Sequence, residues 1–440
     1  MRASVLAVAV ASLLAAAAVR AGAAADTVAD AVRQELPQVT AWRRDIHQHP
    51  ELSNRETRTA ALVAKQLQSL GLEVRTGIAH TGVVGILRGG RPGPKLALRA
   101  DMDALPVTEE VDLPFASKAK GEYRGKPVGV MHACGHDAHT AMLLGVATAL
   151  AGMKRDLPGE VMFVFQPAEE GAPAGERGGA SLMLDEGLFG KLGFKPDAMF
   201  GLHVVSSLNV GEVAVRPGPA MAGSDWFRMV VHGRQTHGAM PWNGVDPIVA
   251  AAEIVTAAQT IVSRKLDIST LPAVLSFGII EGGARYNIVP DQVELQGTIR
   301  TFDDGMRRQV FDNLKAIAEH VAAANGATVD AAIPYGESNP VLVNDPALEA
   351  KVKASLVEAL GAAHVHEAKP WMASEDFAYF ARAVPSVYFF VGATPAGQDP
   401  AAAPANHSPK FFLDEGALGV GMRAMLQATL DYLRGAPAGA

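Results

Sequence analysis

Two hydrophobic rhythms alternate along the chain. Apolar residues recurring every three or four positions predict helices over 28–36 and on through 39–46, then over 57–70, 141–150, 346–360 and 415–433, with Gly71 stopping the second. Short apolar runs bounded by Gly and Pro predict strands at 82–87, 95–100, 160–165, 197–202 and 386–391. Between about 219 and 333 the order changes to strand 226–232, helix 247–263, strands 273–280 and 292–301, helix 305–324 and strand 328–332. That βαββαβ order is the split ferredoxin-like arrangement. The fold class is therefore α/β: a main domain with a mixed, mostly parallel sheet flanked by helices, over 26–218 and 334–440, and a ferredoxin-like domain inserted at 219–333. A chain of 440 residues exceeds the size at which single cores stop growing, so two domains are expected.

Ligand-capable side chains repeatedly follow the strand ends. Asp101-Met102-Asp103 follows the second strand, Gln166-Pro167-Ala168-Glu169-Glu170 the third and His203 the fourth, while a loop after the fifth leads to Asn406-His407. In open α/β sheets that edge is where sites form. The densest chemistry lies at 131–140, where the only cysteine, three histidines and Asp137 precede an apolar helix. A capping turn, with Asp137 as the cap and Cys134 as a small buried hydrophobe, is the plain alternative. Cys134-x-His136 with His139 three residues on favours a transition-metal site, because thiolate and imidazole are the donors zinc and its neighbours take. Adjacent Glu169 and Glu170 leave the backbone in different directions, so one can bind metal while the other moves a proton. With His203 and His407, the set Cys134, His136, Glu170, His203 and His407 offers five donors, more than one open catalytic metal requires, which points to two ions. His139 competes for a place among them. The zinc-protease His-Glu-x-x-His, the P-loop and the Gly-x-Ser-x-Gly elbow are absent, and 233–238 has the wrong glycine spacing for a dinucleotide site.

Composition narrows the classes. Hydrophobic residues make up 49% and charged residues 19%, as in a packed globular protein. A formal net charge of −7, with no basic stripe interleaved with aromatics, argues against nucleic acid. Arg2, the alanine-rich run 3–19 and the small-x-small pairs at 21–25 read as a cleaved signal peptide over 1–25. The mature protein is then expected to begin near Ala24 or Asp26, with no membrane association after cleavage, in a bacterial periplasm or secreted. A lone thiol is a liability there unless something such as a metal ties it up.

Taken in order, several blocks resemble a known family. They are Arg99-Ala100-Asp101-Met102-Asp103-Ala104-Leu105-Pro106, Cys134-Gly135-His136-Asp137-Ala138-His139, Gln166-Pro167-Ala168-Glu169-Glu170-Gly171 and Gly201-Leu202-His203-Val204. Thr236-His237-Gly238-Ala239-Met240-Pro241, Asn287-Ile288-Val289-Pro290-Asp291 and Ser374-Glu375-Asp376-Phe377 complete the set. It resembles the M20 metallopeptidase superfamily, in its branch of hippurate, N-acyl-amino-acid and auxin-conjugate hydrolases. The resemblance implies a binuclear centre held by the five donors, with Glu169 as general base. It also implies an inserted lid that forms a homodimer and supplies His237 to the partner's site. Asn287 and Arg300 match positions near the substrate carboxylate. Asp103 is expected to orient a ligand, and Asp101, standing where the wider superfamily has a metal-binding histidine, is not counted. The expected activity is hydrolysis of N-acyl amino acids or small peptides with two divalent ions, manganese or zinc, with cobalt or nickel also suited. The competing classes are a thiol hydrolase with Cys134 as nucleophile and an inactive periplasmic binding protein on the same fold.

Overall fold

The computed structural model describes residues 27–191 and 193–435, so the leader reading over 1–25 lies outside the described residues. Two compact units emerge, one formed by the described residues up to Pro217, by Asn344–Ala368 and by the described residues from Phe380 on, the other by Gly218–Val343 and Lys369–Tyr379.

The first unit is built on an eight-stranded sheet. Its strands are β1 (Glu73–Ile78), β2 (Gly82–Arg88), β3 (Arg91–Asp101), β4 (Pro158–Gln166), β5 (Ala198–Asn209), β6 (Val213–Val215), β7 (Val365–Glu367) and β8 (Ser386–Thr394). They lie in the order β1-β2-β4-β3-β5-β8-β6-β7. The β4–β3, β3–β5, β5–β8 and β7–β6 pairs are parallel; β1–β2, β2–β4 and β8–β6 are antiparallel. The central strands read as unbroken apolar runs because both their faces are buried. β1 escaped the sequence pattern because Glu-Val-Arg-Thr-Gly-Ile is a half-exposed edge with no apolar run. Five helices of this unit are α1 (27–48), α2 (Thr57–Ser69), α3 (His136–Gly152), α4 (Pro346–Leu360) and α5 (Gly416–Arg434). Helix α3 is apolar all round and buried along nearly its whole length, the pattern of an interior helix. It lies so close to α5 that a Cβ on Gly421 would sit 2.2 Å from the sulfur of Met142.

The second unit holds a four-stranded antiparallel sheet in the order Val274–Gly282, Gln292–Thr301, Gly223–His232, Thr328–Ala332. Helices Pro247–Thr260 and Asp304–Ala324 cover its apolar face, each started by an aspartate that accepts backbone N–H groups, Asp246 from Ile248 and Asp303 from Met306. The first ends in a π turn at Ile261–Lys265. The unit also takes in chain that sequence reading gave to the main domain beyond residue 333. Ser224 pairs with Asn339, the Ala222 N–H reaches the Trp371 carbonyl, and the Tyr379 hydroxyl donates to the Ser338 carbonyl. These are pairings onto the backbone that leave no periodic signature.

Asp137 is not a cap. The position before α3 is Gly135, with φ 101° and no capping side chain. Asp137 accepts instead from Arg43 Nε of α1 at 2.8 Å and pairs with His47 Nδ1 at 2.8 Å, while His47 Nε2 lies 3.1 Å from Glu109 Oε1. Burial works against a charge on His47, but Asp137 and Glu109 outweigh it and raise its pKa. A raised histidine stabilises the fold fully below the unfolded value of about 6.5 and loses that contribution as pH rises through the native value. Denaturant titrations should therefore show wild-type stability falling above pH 6.5, and His47→Gln should flatten that slope. An equal slope in the variant would remove His47 as its source.

Candidate metal centre

The parallel neighbours β4 and β3 end side by side, next to β5, which runs on past them to Asn209. Asp101 closes β3 opposite Gln166, which closes β4, and the Met102 N–H donates to the Gln166 carbonyl at 2.9 Å. Glu169 and Glu170 follow directly in the turn. His203 lies within β5, opposite Phe390 of β8, rather than past the end of its strand as the sequence pattern suggested. The cysteine loop enters α3 through left-handed Gly135, where a Cβ would come 2.3 Å from Val204 Cγ2, so the turn admits only glycine. Asn406 Nδ2 donates to the carbonyls of Cys134 and Val204, at 3.0 Å each, and the His407 N–H donates to the Ala133 carbonyl at 2.8 Å. Three stretches distant in sequence are thus pinned to one point.

The five expected donors converge there. Cys134 Sγ lies 3.2 Å from His203 Nε2 and 3.2 Å from His407 Nε2, and His407 Nε2 is 3.2 Å from Glu170 Oε1. His136 Nε2 faces Asp101 Oδ2 at 3.7 Å and Glu169 Oε2 and Glu170 Oε1 at 3.9 Å each. Donor atoms of Cys134, His136 and His203 all lie within 4.8 Å of one another, as do those of Cys134, Glu170 and His407, and those of His136, Glu169 and Glu170. Cys134 belongs to two of these triads.

Whether a cation fits follows from the lone pairs. His136 Nδ1 is bound to the Asp103 carbonyl at 2.8 Å and His203 Nδ1 to the Val204 carbonyl at 2.7 Å, which turns each Nε2 inward as an acceptor. His136 Nε2 is buried without a hydrogen-bond partner, and Glu170 Oε1 has only His407 Nε2 beside it, at 3.2 Å. Electron-rich atoms gathered in a dry site repel unless positive charge lies between them. The carboxylates call for positive charge at that Nε2: burial opposes a charge on His136, yet Asp101, Asp103 and Glu170 push its pKa up to about 10, so without a metal ion a proton takes the lone pair. Burial, then the Glu170, Glu169 and Asp101 carboxylates, push the Cys134 thiol well up. A mixed S, N and O donor set short of positive charge suits divalent transition metals.

The same geometry removes His139 from the ligands. Its Nε2 accepts the Val204 N–H at 2.9 Å and its Nδ1 meets Asp101 Oδ1 at 2.7 Å, so no lone pair remains. Asp101 is held further by Arg99, whose guanidinium donates to Asp101 Oδ2 at 2.6 Å and to Gln166 Oε1 at 2.8 Å. Asp103 accepts the backbone N–H groups of Glu169 and Glu170 at 3.1 and 3.0 Å and the Ser53 hydroxyl at 2.8 Å. Sequence reading missed Arg99 as a support. Its one signal was a charged pair, Arg99 and Asp101, at the end of β3 that otherwise reads Leu-Ala-Leu and Ala. In the second unit, exposed His237 lies on a two-residue strand opposite Ile288, and the Gly238 N–H donates to the Asn287 carbonyl at 2.8 Å, so His237 and Asn287 are neighbours. Arg300 lies on the sheet of that unit, its guanidinium 5.1 Å from the Trp226 ring and bonded to Thr298 and Ile299.

Comparison with known proteins adds an independent line. The family described as Peptidase family M20/M25/M40 matches residues 97–431. The chain belongs to that family. Among M20-like relatives, thermostable carboxypeptidase 2 of Saccharolobus solfataricus is 40% identical over 399 residues, covering 89% of this chain and 96% of the relative. N-acetyl-L-cysteine deacetylase of Bacillus subtilis is 38% identical over 381 residues, covering 87% and 85%. A Bacillus subtilis crystal structure, described as a dinuclear metal-binding peptidase from the M20 family, superimposes with a TM-score of 0.75 at 32% identity, over 91% of this chain and 99% of that one.

Proposed function

We propose that this M20-family chain is a metal-dependent amidohydrolase that cleaves N-acyl amino acids or small peptides. The observation that carries the reading is the convergence of Cys134, His136, Glu170, His203 and His407, with the buried Nε2 of His136 unpartnered. Cys134, His136, Glu170, His203 and His407 would hold two divalent ions, manganese or zinc in the first instance, which would supply a Lewis acid for the scissile carbonyl and lower the pKa of bound water. Glu169 takes the proton from the attacking water and returns it to the leaving amine. His237, presented by the insert of a second copy of the chain, donates to the developing oxyanion. Asn287 and Arg300 bind the substrate carboxylate. The alanine-rich run and small-x-small pairs within 1–25, read from the sequence as a signal peptide, support a periplasmic or secreted mature enzyme.

A screen of acylated amino acids for amine release tests the activity; silence across the panel from metal-replete protein would overturn it. The shared site has its own test. His237→Ala and Glu169→Gln should each be inactive, yet refolding them together should restore turnover in mixed dimers, where one site has both residues intact. Failure to complement would place His237 elsewhere.

A further inference from the structure

Four consecutive residues ahead of α2, Ser53-Asn54-Arg55-Glu56, hold the acid-bearing turn after β4 from behind. Glu56 has no exposed surface. Its Oε1 accepts the N–H of Asn54 at 3.0 Å and of Ala168 at 2.9 Å, and its Oε2 accepts the Thr81 hydroxyl. Ala168 is left-handed, with φ 52°, a backbone conformation disfavoured for any residue with a Cβ and kept only where its surroundings impose it. The next two backbone amides, of Glu169 and Glu170, go to Asp103, which Ser53 also binds. Three successive N–H groups are therefore held by two buried carboxylates. Farther along the turn, Asn54 Nδ2 donates to the Arg177 carbonyl at 3.0 Å and to Glu176 at 3.1 Å, and Arg55 pairs with Glu176. Burial and the Asp103 charge push the Glu56 carboxyl up to about 7.

We propose that Glu56 is a positioning residue for the catalytic turn: by fixing the left-handed backbone at Ala168 it sets the directions in which Glu169 and Glu170 leave the chain. This rests on the reading of Glu169 as general base and Glu170 as metal ligand. It predicts an order among variants. Glu56→Gln keeps an oxygen for the Ala168 N–H and an amide for Thr81, whereas Glu56→Asp keeps the charge and withdraws the oxygen by one methylene.

The test measures kcat, KM, thermal melting and calorimetric manganese affinity for wild type, Glu56→Gln and Glu56→Asp. Glu56→Asp should lose about 100-fold in kcat with little change in KM, the scale of a misplaced catalytic group, and should bind manganese more weakly. Glu56→Gln should recover most of both. The reverse order, or wild-type kcat and affinity in Glu56→Asp, overturns the proposal. If wild type releases no amine, the amidohydrolase reading falls alone, and the manganese affinities decide between the two orders. If Glu56→Asp does not fold, Glu56→Gln decides: near-wild-type kcat and affinity support the proposal, and loss of both in a folded protein overturns it.

Discussion

Glu169→Gln is expected to hold its full complement of metal while losing about 10²–10⁴-fold in kcat, with KM little changed. The amide keeps the size of the carboxylate and removes only its ability to take a proton. The backbone around it is held by other groups, since Glu169 N–H is bound by Asp103 and Ala168 by Glu56, so the turn should keep its shape. Glu170, which lies 3.2 Å from His407, stays in place to bind metal. Metal analysis with steady-state kinetics checks this. Normal turnover would dismiss Glu169 as the base, and lost metal would make it a ligand.

Chelation should have the other large effect. Dialysis against EDTA is expected to drop amine release to the uncatalysed background, and manganese or zinc should restore it. The thiol-hydrolase alternative predicts the opposite. A Cys134 nucleophile needs a lowered pKa in an electropositive setting. This thiol is buried, and carboxylates push its pKa up. Activity that survives exhaustive chelation would reinstate the thiol mechanism.

What could be read from the chain follows from which forces leave a local signature. Strands such as Pro158–Gln166 are covered on both faces and appear as unbroken apolar runs. The edge strand β1 carries no such run, and β6 (Val-Ala-Val) and β7, at three residues each, are too short to stand out from the loops around them. The converging donors were legible because a lone cysteine beside histidines is rare chemistry, and because acids and histidines recur at strand ends. Their supports were not. Arg43 and Asp137 are 94 positions apart, and Glu56 and Ala168 are 112 apart, so nothing local in either member announces the other. The ambiguity over His139 likewise needed three dimensions, because only a backbone N–H from Val204 shows that its lone pair is spent.

Anomalous diffraction from crystals soaked in manganese tests the centre most directly. Two peaks about 3.5–4 Å apart, within bonding reach of Cys134, His136, Glu170, His203 and His407, are expected. A single peak, or density bound elsewhere while those five side chains remain bare, would contradict the account.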